Sequence, residues 1–145
     1  MKKFYGLFVL LATTVLLNGC DKQDKQSILT VELQHHRFTL IKANGEEVAP
    51  EKQAFIEFSE KLTYNGKMCN EFFGQASLNR DVIKSADFSS TQKLCDDQQL
   101  NNLDTIIYQM FKNGATVEIK QGYDNTLLQL KDKTNDLYFE LKDLM

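Results

Sequence analysis

The chain has 145 residues, of which 42% are apolar and 26% are charged, and this length allows one compact domain. Its formal net charge of −3 provides no basic field for nucleic-acid binding. A single proline and only seven glycines exclude a collagen-like or proline-rich protein, and the apolar content argues against global disorder.

The first 20 residues have the pattern of an export signal. Lys2 and Lys3 precede residues 4–17, a stretch of 14 residues without a charge. This stretch is too short to span a bilayer, which takes about 20 residues, but it suits the apolar region of a secretory signal. It ends at Leu17-Asn18-Gly19-Cys20, which resembles a bacterial lipobox. We therefore predict a lipoprotein signal peptide over residues 1–19 and acylation of Cys20. The alternatives are a signal peptide without lipidation and a signal anchor.

Removal of residues 1–19 would leave a mature chain with 15 of the 17 basic residues and all 20 acidic ones, for a net charge of −5. Its first residues, 20–30, are mostly polar and predict a short flexible tether between the membrane and a domain over residues 31–145. Asp21, directly after the acylated cysteine, resembles the inner-membrane retention signal of enteric lipoproteins. The expected location is thus the periplasmic side of the cell envelope.

Two cysteines, Cys69 and Cys95, remain beside Cys20. An even number of cysteines in an oxidising compartment favours one disulfide. Two free thiols are a second possibility. Metal binding together with His35 and His36 is a third, but neighbouring histidines in a strand point to opposite faces. We therefore predict no metal and no cofactor.

Alternating apolar residues predict short strands from Val31 onward. Turn signals separate them at Asn44-Gly45, Ser59-Glu60, Asn65-Gly66, Asn79-Arg80-Asp81, residues 122–125 and Thr134-Asn135-Asp136. One segment instead repeats at three and four residues and predicts an amphipathic helix over about residues 97–112. Asp96 is expected to cap this helix and Asn113-Gly114 to end it. The predicted fold class is α+β, mainly β: an antiparallel barrel or half-barrel meander with one covering helix.

Two segments resemble the signatures of the META domain. Residues 65–74 match the pattern G-x-x-C-N-x-F-x-G, with Gly66, Cys69, Asn70, Phe72 and Gly74 at its fixed positions. Thr91 stands four residues before Cys95, as in the second signature. Further agreement lies at Gln34–Phe38, Leu100-Asn101, Leu103-Asp104 and residues 141–145; Phe38 takes the place where many members have a tryptophan.

The resemblance covers about residues 33–145 and is closest to the heat-shock lipoproteins of the family. It implies a barrel-like domain behind a signal or lipid anchor, and a link to heat-shock and antibiotic stress, with novobiocin as the drug. It implies no catalytic residues. We expect the motif residues mainly to build a disulfide-pinned loop, with Phe72 or Phe73 plugging the barrel end; a binding edge is the alternative.

Searches for catalytic patterns find neither a nucleophile elbow nor a zinc-protease motif. Glu57, Glu60 and Glu71 could form an acid–base pair, but solvated surface carboxylates are the more ordinary interpretation. We predict a non-enzymatic, lipid-anchored, monomeric stress-response protein that acts through contacts with another envelope protein. The alternative is a lipocalin-like barrel that binds an apolar or amphipathic small molecule in its interior.

Overall fold

A computed structural model describes residues 21–142. The predicted signal peptide and the predicted acylation site at Cys20 both lie outside the described residues. The strands are β1 (His36–Ala43), β2 (Glu46–Glu47), β3 (Phe55–Phe58), β4 (Thr63–Lys67), β5 (Glu71–Asn79), β6 (Val82–Ser85), β7 (Ser89–Ser90), β8 (Ala115–Gln121), β9 (Thr126–Lys131) and β10 (Asp136–Lys142). The helices are α1 (Asp21–Leu33) and α2 (Gln98–Asn113), and short 3-10 turns occupy Pro50–Lys52 and Glu60–Leu62.

Eight antiparallel strands close into a barrel, which confirms the predicted fold class. Their order is β1, β3, β4, β5, β6, β8, β9 and β10, and β10 pairs back onto β1 through residues such as Phe38 and Leu141. The small strands β2 and β7 attach to β1 and β5. Closure leaves the barrel without a continuous open edge.

The apolar side chains of the predicted alternating strands point inward and fill the barrel interior. Thirteen inward side chains from the barrel strands are 2% exposed or less: Phe38, Leu40, Ile56, Phe58, Tyr64, Phe72, Ile83, Ala115, Val117, Leu128, Leu130, Leu137 and Phe139. A register shift between Leu40 and Lys42 breaks the alternation in β1, so that Ala43 is buried and Lys42 is exposed. Small barrels of eight strands have interiors that side chains can fill.

Helix α2 covers one end of the barrel, where the β4–β5 and β9–β10 turns lie; we call it the α2 end. The predicted range is confirmed to within one residue at each end. Leu103, Ile107, Met110 and Phe111 form the buried face. The predicted cap at Asp96 is wrong: Asp97 is the cap, and its Oδ1 accepts the N–H of Leu100 at 3.1 Å.

Helix α1 replaces the predicted flexible tether, and that prediction is wrong. Leu29 and Leu33, four residues apart on one face, are 6% and 0% exposed and belong to the main core. The helix also takes in Val31, where strands were expected to begin. The burial of two leucines outweighs the weak helix preference of a β-branched, polar segment.

The position of α1 defines the opposite end of the barrel. Lys25 pairs with Asp81 in the β5–β6 turn at 3.0 Å. Gln34 Oε1 accepts the backbone N–H of Lys61 in the β3–β4 connection at 2.6 Å. The helix therefore lies across the end that holds these two connections and the β8–β9 turn; we call it the α1 end.

Most predicted turns occur where expected, but Asn65-Gly66 does not. Asn44 and Gly45 have φ angles of 51° and 83°, as a tight hairpin turn requires. Asn65 and Gly66, in contrast, lie inside β4, paired with Phe73 and Phe72 of β5. The β4–β5 turn falls instead at residues 68–70.

If α1 is part of the folded domain, shortening its buried leucine should destabilise the whole barrel. We expect Leu33→Ala to lower the free energy of unfolding by about 2–5 kcal/mol, because the site cannot collapse around the missing atoms. The measurement is equilibrium urea unfolding of the chain from residue 21 onward. Val31→Ala is the control, since Val31 is 70% exposed on the same helix, and it should change stability by less than about 0.5 kcal/mol. Equal effects of both substitutions would contradict the placement of α1.

Candidate functional site

The two motif segments meet at the α2 end of the barrel. The structure joins Cys69, in the β4–β5 turn, to Cys95, just before α2, with a Cα–Cα distance of 5.9 Å. Disulfide, free thiols and metal binding were the three alternatives for this cysteine pair, and the structure contains the disulfide. Closing a loop of this length stabilises the fold by about 3.5 kcal/mol on the chain-entropy account.

Asn70, beside the disulfide, is the centre of a hydrogen-bond network. Asn70 is a buried residue, with only 8% of its surface exposed. The amide Nδ2 donates to the carbonyl of Lys93 at 2.9 Å and to Asp104 Oδ2 at 2.6 Å. The amide Oδ1 accepts the N–H of Lys93 at 2.8 Å and the hydroxyl of Thr91 at 3.0 Å. All four hydrogen-bonding positions of the side chain are therefore in use.

Asp104, on α2, completes the network from the other side. Its Oδ1 accepts the backbone N–H groups of Cys69 at 3.1 Å and Asn70 at 3.0 Å. One carboxylate thus caps the β4–β5 turn and holds the Asn70 amide, so it fastens α2 to the sheet. Charge-assisted bonds of this kind are stronger than neutral ones.

The network explains the second motif as well. Thr91 Oγ1 donates to Asn70 and accepts the N–H of Glu71 at 3.1 Å. Asn101 then clamps Cys95 through both of its backbone groups, at 3.0 Å and 2.8 Å. The segment from Thr91 to Cys95 has little regular structure, and these side chains replace the bonds that a strand or helix would supply.

Gly66 and Gly74 are required by close packing against aromatic side chains. A Cβ at Gly66 would lie 2.4 Å from Phe72 Cζ and 2.5 Å from the carbonyl oxygen of Phe55. A Cβ at Gly74 would lie 2.6 Å from the hydroxyl of Tyr64. Neither glycine has a left-handed φ angle.

The hydroxyl beside Gly74 belongs to a second buried network. Tyr64 donates to Ser85 Oγ at 2.8 Å, and Asp87 Oδ1 accepts the N–H of Gln75 at 2.9 Å, next to Ser85. Burial, with the nearby charge of Asp87, raises the pKa of Tyr64 to about 12, although the hydrogen bond between Tyr64 and Ser85 acts in the opposite direction and lowers this pKa. The phenol therefore remains a neutral donor throughout the ordinary pH range, as a structural group does.

An aromatic cluster fills the space under the motif. Phe72 is buried and stacks on Phe88 with ring centroids 5.4 Å apart. Tyr64 and Phe111 lie against the same cluster, 4.7 Å from each other. Of the two candidate plugs, Phe72 is the inward one, and Phe73 points outward with 54% of its surface exposed.

The residues considered for catalysis or metal binding are not brought together. Glu57 lies on β3, where it pairs with Arg37 at 2.7 Å, and Glu71 lies on β5 with β4 between them. Glu60 lies at the α1 end, far along the barrel from Glu71. Within residues 21–142, no group of three histidine, cysteine or carboxylate side chains could hold a metal ion. In the same range, no helix is both long and apolar enough to cross a membrane.

Sequence reasoning identified Asn70, Phe72, Gly66, Gly74 and Thr91 but missed the role of Asp104. Asp104 appeared only as a residue in agreement with the family pattern. The position of Asp104 on α2 is the signal that could have revealed this role. Asp104 lies beside the buried face that contains Leu103 and Ile107, and its side chain is therefore close to the sheet.

A filled eight-strand barrel with a disulfide-pinned Asn70 turn defines a class of small β-barrel domains, and comparison with known proteins agrees. The sequence model of the META domain matches residues 31–143. The chain belongs to the META domain family.

One named protein and two solved structures are similar to it. Heat shock protein HslJ of Escherichia coli (strain K12) is 36% identical over 135 residues, which is 92% of this chain and 94% of HslJ. An NMR structure is 37% identical, with a TM-score of 0.71 over 80% of this chain and 97% of the other. A second NMR structure, from Burkholderia xenovorans, is 16% identical with a TM-score of 0.60 over 79% and 87% of the two chains, and it shows the fold alone. None of these names states an enzymatic activity.

Because the Asn70 side chain has four partners, removing it should destabilise the domain. We expect Asn70→Ala to lower the free energy of unfolding by about 2–3 kcal/mol, since buried partners lose their bonds. The measurement is urea unfolding with the disulfide intact. Asn102→Ala is the control, because Asn102 is exposed on α2 and accepts only from Gln98, at 3.0 Å. Loss of biological activity in Asn70→Ala with unchanged stability would instead identify a binding site.

Proposed function

We propose that this protein is a lipid-anchored stress-response protein of the cell envelope, of the HslJ type. In this proposal Cys20 carries the acyl chains, the domain faces the periplasm, and Asp21 favours the inner membrane. The support for the stress role is the 36% identity to a heat shock protein over nearly the full length of both chains. Tolerance of heat and of novobiocin is the phenotype that the family resemblance suggests.

We further propose that the protein acts without enzymatic chemistry, through contacts on its outer surface. The observation that carries this is the use of the motif residues: the polar side chains that a site would need are committed to internal bonds. Asn70 has four partners, and Asp104 Oδ1 accepts two backbone N–H groups. A residue with no remaining bonding capacity holds its neighbours in place and offers nothing to a ligand.

The packed interior argues against the alternative of an internal small-ligand site. The buried aromatic and aliphatic side chains of the barrel, with Phe111 and Leu33 from the two helices, occupy the space that a lipocalin-like ligand would need. The groove of about 480 Å³ between α1 and β8 lies outside the barrel.

Two exposed apolar side chains mark the proposed contact surface. Phe73 lies inside the first motif with 54% of its surface exposed, and Leu94 lies inside the second with 88% exposed. Phe73 is held by its strand pairing with Asn65 and Ser89, and Leu94 follows Lys93, whose backbone bonds to Asn70. An exposed apolar group on a rigid frame is a suitable anchor for a protein partner.

The test is growth on novobiocin and at high temperature of a strain that lacks the gene, complemented with variants. The natural chain should restore growth. Cys20→Ser and the double variant Phe73→Ser, Leu94→Ser should not, because the first loses the anchor and the second loses the contact surface.

Lys133→Ser is the matched control, since Lys133 is exposed in the β9–β10 turn at the same end of the barrel. Each variant should accumulate to the natural level with its Cys69–Cys95 disulfide formed. A double variant that grows as well as Lys133→Ser would refute the contact surface. Failure of the natural chain to restore growth would refute the stress role.

A further inference from the structure

The rigid attachment of α1 limits how far the domain can lie from its proposed anchor. The helix begins at Asp21, directly after Cys20. Its buried residue nearest to the anchor is Leu29, and eight helical steps separate Asp21 from Leu29, or about 12 Å. An extended tether over the same residues would reach about 28 Å.

Polar contacts fix α1 at its N-terminal half too. Lys25 Nζ pairs with Asp81 Oδ2 at 3.0 Å, and Gln26 Oε1 accepts the backbone N–H of Arg80 at 3.3 Å. Both partners lie in the β5–β6 turn. The helix is therefore held to the barrel from its second turn onward, and its direction at Asp21 is set by the barrel.

The surface that faces away from the core at this end carries exposed apolar side chains. Val31 is 70% exposed on α1, on the side opposite Leu29 and Leu33, and Ile28 is 58% exposed at the rim of the groove between α1 and β8. Tyr123, at the tip of the β8–β9 turn, is fully exposed. Three of the seven large apolar side chains exposed within residues 24–142 thus lie at the α1 end.

We propose that the α1 end rests on the membrane surface, with Ile28, Val31 and Tyr123 in the headgroup region of the bilayer. This inference rests on the proposed anchoring at residue 20. A helix that starts at the anchor and leaves about 12 Å of reach brings its outer face to the bilayer. Tyrosine is enriched at membrane–water interfaces because one end of its side chain is apolar and the other polar.

The charges at the α1 end neither oppose nor drive this contact. Lys61 and Arg80 are exposed there, as are Asp24 and Glu60. Charges of both signs give no net attraction to anionic lipid, so the apolar side chains and the anchor set the orientation. In that orientation the α2 end, with Phe73 nearby on β5 and Leu94 beside the disulfide, points away from the membrane toward periplasmic partners.

The chain contains no tryptophan, so one introduced tryptophan reports its own surroundings. The full chain, produced with its own signal and purified from membranes, is reconstituted into phosphatidylethanolamine–phosphatidylglycerol vesicles with brominated acyl chains. Vesicle flotation first measures anchoring. Tryptophan emission then measures contact in Ile28→Trp and Tyr123→Trp, with Leu94→Trp as the control at the opposite end.

We expect all three variants to float with the vesicles. Ile28→Trp and Tyr123→Trp should show blue-shifted emission and strong quenching by the brominated lipid, and Leu94→Trp should show neither. Tyr123→Trp keeps the test valid if Ile28→Trp perturbs the helix, since Tyr123 is on an exposed turn. Flotation with equal quenching at all three positions would overturn the orientation alone. Failure of the natural chain to float would refute the anchoring, and the orientation with it.

Discussion

The contact between Asn70 and Asp104 holds together parts of the chain that would otherwise separate. The β4–β5 turn, the irregular segment before α2, and α2 itself meet around this pair and the adjacent disulfide. Without it, the segment from Thr91 to Cys95 would have unpaired backbone groups, and α2 would lose one of its polar attachments to the sheet. The barrel end would then lie open above the aromatic cluster of Phe72 and Phe88.

The same constraint explains why the family motif contains the residues it does. Cys69 and Cys95 shorten the loop, Asn70 bonds across it, and Gly66 and Gly74 let aromatic rings approach the backbone. Each residue acts on the stability of one small region. The motif can therefore specify a frame, while the proposed recognition uses neighbouring exposed side chains such as Phe73 and Leu94.

The sequence alone predicts those strands and helices in which local periodicity and core packing agree. The strands with alternating apolar residues and the helix with three- and four-residue spacing lie close to the predicted positions. The reason is that the face made apolar by the sequence pattern is the face that the fold buries. Three features could not be predicted from the sequence. Asn65-Gly66 has turn chemistry but is drawn into β4 by the packing of Gly66 against Phe72. Helix α1 depends on a groove that only the finished barrel provides. Asp104 has only its position beside the buried face of α2 as a local signal, and its partners, which are more than 30 residues away in the chain, cannot be read from that position.

The most direct test of this account is hydrogen exchange at the backbone amides that donate to side-chain oxygens. The amides of Cys69 and Asn70 donate to Asp104, and that of Lys93 donates to Asn70. If these bonds hold the α2 end together, NMR should find the three amides exchanging as slowly as those of the central strands, and Asn70→Ala should release all three. Exchange as fast as at Tyr123 and Asp124, in the exposed β8–β9 turn, would contradict the central place given to this network.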